Sequence, residues 1–81
     1  MSKQQKLLTK LLNSKNTFTW DDLVTLLNQL GYKKEERSGS RVLFSRGLEH
    51  DLHLHKPHPE NIIKGGALKA VKLHLKQEGY L

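Results

Sequence analysis

Three of the chain's five histidines fall within the run Leu52-His53-Leu54-His55-Lys56-Pro57-His58-Pro59. Imidazole accepts or donates a proton near neutral pH and also ligates metals, so this spacing raises two chemistries. In the metal reading, His53 and His55 point the same way from a strand and His58 swings in from the loop. Zinc sites usually bring a fourth ligand and a closed geometry, yet the chain has no cysteine and the nearest carboxylates are Asp51 and Glu60. No metal ligand and no cofactor is therefore assigned. In the acid-base reading, cleavage of RNA without a metal needs a base for the 2′-hydroxyl and an acid for the leaving oxygen. A guanidinium would stabilise charge gathering on the phosphate. His53, His55 and Arg41 have that chemistry. The plain alternative is that these histidines solvate a sheet surface or only hydrogen-bond phosphates, and spacing alone favours neither reading.

The elements that must position these residues can be read from period and punctuation. Residues 3–13 place Leu7, Leu8, Leu11 and Leu12 on one side of a helical wheel, and residues 13–16 break that helix. A second helix is expected from Thr19, which can cap it, with Phe18 and Leu23 placed as a hydrophobic staple and Asp21 and Asp22 at its positive end. Trp20, Leu23, Leu26, Leu27 and Leu30 form its buried stripe, and Gly31 ends it. This helix carries no basic residue, which argues against a DNA recognition helix.

Beyond Gly31 the period becomes alternating. Residues 32–37 read as an edge strand, Ser38-Gly39-Ser40 as a turn, residues 41–46 as a second strand, and residues 51–55 as a third after a turn at Glu49-His50. Residues 56–61 form a loop pinned by Pro57 and Pro59. The last helix begins between Ile63 and Gly66 and runs to about Glu78, burying Leu68, Val71 and Leu75. Gly79 is its cap, and Tyr80 and Leu81 fold back. The fold class is thus α+β, a three-stranded antiparallel sheet with helices on one face. Parity turns Val42, Phe44, Leu52 and Leu54 inward and Arg41, Leu43, Ser45, His53 and His55 outward.

Eighty-one residues suit one domain, 1–81, and the net charge of +6 favours a polyanion such as nucleic acid or an acidic protein. The absence of cysteine removes thiolate chemistry and disulfides, no apolar run approaches the roughly 18 residues of a membrane span, and the basic N-terminus lacks a signal peptide's apolar core. A soluble cytoplasmic protein without a membrane partner is expected. The cations available to a nucleic acid include Lys33, Lys34, Arg37, Lys56, Lys64 and Lys69, with Ser40 in the turn. Lys72 and Lys76 read as ordinary solvated surface. At Lys64-Gly65-Gly66 a phosphate could approach unpaired helix amides, or the glycines could simply make a flexible lead-in. His50 and His74 carry no functional argument.

The order Leu30-Gly31-Tyr32, Ser38-Gly39-Ser40-Arg41, Pro57-His58-Pro59, Ile63-Lys64-Gly65-Gly66-Ala67-Leu68 and Glu78-Gly79-Tyr80-Leu81 resembles the HicA (YcfA-like) toxins. The resemblance covers residues 19–81 and leaves residues 1–16 as an N-terminal helical extension. It implies a fold like the double-stranded RNA-binding domain. It also implies a metal-independent endoribonuclease acting on mRNA, the toxin of a type II toxin-antitoxin system restrained by a HicB-like antitoxin. Many members of that family carry a catalytic histidine directly after the Gly-Ser of the turn, where this chain has Arg41. Arginine does not release its proton near neutral pH, so it can bind the scissile phosphate but cannot be the base. Either His53 or His55 has taken that role, or the chain is a non-catalytic RNA-binding module.

Overall fold

The computed structural model describes residues 3–47, 51–57 and 60–81. In chain order it has α1 (Lys3–Asn13), β1 (Thr17–Thr19), α2 (Trp20–Gln29), β2 (Lys33–Glu36), β3 (Arg41–Ser45), β4 (Leu52–His55), β5 (Ile62–Lys64) and α3 (Gly65–Gln77). β2, β3 and β4 form the expected antiparallel meander. The fold is α+β and agrees with a double-stranded RNA-binding-domain-like arrangement. The turn expected at Glu49-His50 and the loop position of His58 and Pro59 lie outside the described residues.

One sheet was not expected. β1 pairs antiparallel with β5, setting Phe18 opposite Ile63, and both residues are buried. The last helix, expected to begin between Ile63 and Gly66, begins at Gly65, directly after this strand. This pairing also changes how α2 begins. Thr19 holds the cap position in an extended conformation, but its side chain makes no capping bond. Instead the Trp20 N–H donates to the Asn61 carbonyl at 2.9 Å, so the β1–β5 side of the molecule satisfies the first orphan amide. At the other end of α2, Gly31 takes φ +98°, and a Cβ there would sit 2.8 Å from the Arg46 Nε. The positive φ calls for glycine, while the flexible Arg46 side chain would only have to shift.

The inner face of the meander and the helices share one core. Val42, Phe44, Leu52 and Leu54 join Trp20, Leu23, Leu26 and Leu27 of α2 and Leu68, Val71 and Leu75 of α3. The Trp20 ring meets Phe44 edge-on at 6.1 Å, which joins α2 to β3. Each such buried side chain contributes about 1.5–3 kcal/mol, so this face holds the meander in place.

α1 enters the same core through Leu11, which is fully buried, with Leu7 and Leu8 packed at its margin. Leu12, expected on the same stripe, is 61% exposed. One residue step turns a helix by about 100°, so once Leu11 is central Leu12 falls off the buried face. Lys10 pairs with Asp22 of α2 at 2.5 Å. Lys72, expected to be plain surface, donates from Nζ to the Ser14 carbonyl and holds the α1–β1 connection against α3.

The C-terminal residues fold back as expected. Tyr80 meets the buried Tyr32 edge-on at 6.2 Å, and the Arg46 guanidinium lies over the Tyr80 ring. His74 Nε2 lies 3.2 Å from the Tyr32 hydroxyl, which gives this histidine a structural partner within the same cluster. Among the described residues no helix is long and apolar enough to cross a membrane.

Candidate functional site

The outer face of the meander is set by register. β3 and β4 pair Arg41 with His55 and Leu43 with His53, while Val42 and Phe44 pair with Leu54 and Leu52 on the opposite face. Burial follows the same alternation along β4, where Leu52 and Leu54 are buried and His53 and His55 exposed. Alternate residues on a strand stand about 7 Å apart along the backbone, so His53 and His55 leave the sheet from neighbouring positions on one face.

Arg41, His53 and His55 line a single open cleft of about 340 Å³, together with Arg37, Leu43 and Asp51. Leu43 is the floor. Although it faces outward, it is only 8% exposed and stands apart from the main core. An apolar floor under titratable groups limits competing water and suits the flat face of a base or a ribose. Asp51 shares the parity of His53 and His55 and is the only carboxylate on the cleft lining among the described residues.

The cations of the cleft are held from the β2–β3 turn. Arg41 donates from Nη2 to Ser38 Oγ at 3.2 Å, which uses a fraction of its fork and leaves most of its donors for a ligand. Arg37 donates to Glu35 at 3.3 Å in an exposed pair. The Arg37 N–H donates to the Arg41 carbonyl at 2.9 Å, and the Lys56 N–H donates to the Ser40 carbonyl at 2.7 Å. These bonds tie the turn to the end of β4, so Arg41, Ser40 and Lys56 are neighbours at one rim, where they border a smaller recess.

The remaining cations expected to meet nucleic acid are spread more widely. Lys33 pairs with Ser45 and so shares the outward parity, at the far end of β3 from Arg41. Lys34 stands opposite Phe44, on the inward parity, and its Nζ pairs with Glu36 at 3.3 Å. Lys64 and Lys69 do not reach the cleft and line a separate groove beside α3. Among the described residues no three His, Asp or Glu side chains are grouped closely enough to hold a metal ion, and His58 lies outside those residues.

Two lining residues went unassigned in the sequence. Leu43 was placed outward, and its apolar type at an outward position was the signal of a floor. Asp51 stands out in the sequence only as a possible metal ligand, although counting back by twos from His55 puts it on the same face. No curated protein and no solved structure matches the chain significantly. A family model described as the HicA toxin of bacterial toxin-antitoxin matches residues 20–80, which takes in α2, the whole meander, β5 and α3. The chain belongs to the HicA toxin family of bacterial toxin-antitoxin systems.

Proposed function

We propose that the chain is a metal-independent endoribonuclease that cleaves mRNA on the outer face of the β2–β3–β4 meander and is restrained by a HicB-like antitoxin. The observation that carries this reading is the pairing of Arg41 directly opposite His55, with His53 on the same face and all three in one cleft. Arg41 clamps the scissile phosphate. One of His53 and His55 takes the proton from the 2′-hydroxyl as its oxygen attacks phosphorus, and the other donates a proton to the departing 5′-oxygen. The products are a 2′,3′-cyclic phosphate and a 5′-hydroxyl. Ser40, Arg37, Lys33 and Lys56 hold the flanking backbone on this side, Lys64 and Lys69 contact it elsewhere, and Lys34 contributes through the shared field of the edge strand. Site of action is the cytoplasm, where mRNA is met.

The test is purified protein on mRNA in EDTA, with His53→Ala, His55→Ala and Arg41→Ala beside it. Cleavage by the wild type and its loss in the variants is expected; equal cleavage in all four removes the site assignment, and intact RNA with wild type removes the enzyme.

A second reading, a non-catalytic RNA-binding module, is favoured by Arg41 itself, because many family members have histidine there. Arg41→His separates the two. If Arg41 is a phosphate clamp beside a working histidine pair, the substitution lowers cleavage, since imidazole lacks the forked, permanently charged donor set. If an inactive site merely lacks its base, the same substitution creates cleavage where the wild type has none.

A further inference from the structure

On the helix side of the molecule there is a second depression, of about 500 Å³, that shares no residue with the histidine cleft. Lys15 from the α1–β1 connection, Lys64 of β5, and Lys69 and Lys72 of α3 line it, with Thr17 and Leu68 between them. Among the described residues no Asp or Glu lies on its lining. Lys15, Lys64 and Lys69 are exposed and enter no ion pair among the described residues. Lys10 and Lys34, by contrast, each pair with a carboxylate, Asp22 and Glu36. Here three separate segments converge with one sign of charge. Lys72 then ties the two walls together through the Ser14 carbonyl, and Ser14 is itself fixed by its hydroxyl to the Leu11 carbonyl at 2.6 Å.

Like charges gathered without counter-ions repel, and a bound polyanion relieves that cost. Lysines act as point charges with no fixed fork, which suits an evenly charged phosphodiester strand read without regard to sequence. The chain leaves β4 at the Arg41–His55 end of the cleft through Lys56 and continues to Lys64 of the groove. Lys56 at the cleft rim and Lys64 in the groove stand eight residues apart in the chain.

We propose that this groove binds the phosphodiester backbone of the substrate RNA outside the cleaved step, so that residues 15–17, which precede the family-matched region, form part of the RNA-binding surface. The proposal rests on RNA being the substrate, but its test is independent of cleavage. A 20-nucleotide oligothymidylate has no 2′-hydroxyl and cannot be cut by the mechanism above. Its affinity is measured against salt for the full chain and for Lys15→Ala and Lys69→Ala. Each lysine contact on a single strand contributes a slope of about 0.7 in log K against log salt, so each substitution lowers the slope by about 0.7 and the affinity about fivefold at 0.1 M salt. Lys15→Arg and Lys69→Arg keep the charge and retain wild-type binding. Unchanged affinity and slope in both alanine variants overturns the proposal, as does equal loss in the arginine variants. Retained oligothymidylate binding with lost binding of a polyglutamate peptide also overturns it and assigns the groove to an acidic protein. Failure of the endonuclease reading shows separately, as intact mRNA with the wild-type protein.

Discussion

The histidine cleft and the lysine groove are both basic, but they are built differently. In the cleft a strand ladder fixes which side chain stands opposite which, so Arg41 faces His55 by register and Leu43 is covered beneath them. In the groove the cations come from a connection, a strand end and a helix, and a long flexible lysine side chain is all that aims each charge. Register gives the fixed geometry that proton transfer needs, whereas counterion release asks only for charge in roughly the right place. On the proposed reading, the cleft carries the chemistry and the groove retains the RNA.

The sharpest way to break this contrast is to remove an imidazole. His55→Ala or His53→Ala should lower mRNA cleavage by about 100-fold or more, the usual contribution of a positioned acid or base, with oligothymidylate affinity changed only a few-fold. Matched losses in cleavage and affinity would mean that the histidines are binding residues and that the two regions do not differ in kind. A smaller effect is expected at the cleft floor. Leu43→Ala should cost about 2 kcal/mol, the low end for a buried leucine because the site is shallow, read as a shift in urea midpoint with an unchanged slope. Phe44→Ala, one residue along but on the inner face, should cost about 3–5 kcal/mol by the same measurement. Equal costs for the two neighbours would contradict the division of the sheet into an active face and a packing face.

On the groove side, Lys72→Ala removes a charged donor from the Ser14 carbonyl and should destabilise the chain by about 1.5 kcal/mol in thermal or urea unfolding. No change would show that the connection is not held by this contact. The smallest effect belongs to the Lys10–Asp22 pair, whose side chains are 57% and 34% exposed. A double-mutant cycle should give a coupling under about 1 kcal/mol that fades with added salt, since water and ions screen the pair.

Much of this was legible in the residues because it depends on short periods. The alternation of buried Leu52 and Leu54 with exposed His53 and His55, and the helical stripe from Trp20 to Leu27, follow from patterns of two and 3.6. Thr17-Phe18-Thr19 and Ile62-Ile63-Lys64 were not legible as strands. Each is three residues long and too short to show a period, and the partner that makes each a strand lies at the other end of the chain. The same limit hid the meeting of Lys15 with Lys64 and Lys69, because Lys15 is an ordinary surface residue until β1–β5 pairing and the Lys72 contact bring its segment beside theirs.

The amino-acid order by itself determined the α+β class, the meander, the core stripe of α2 and the outward parity of Arg41, His53 and His55, because side-chain direction in a strand or helix is a local property of the backbone. Only the tertiary structure decided that His55 stands opposite Arg41, that Leu43 floors the cleft beside Asp51, and that Lys15 meets Lys64 and Lys69. Those are questions of register and of contacts between distant segments, and the packing of the whole chain selects one answer from many that the local patterns allow.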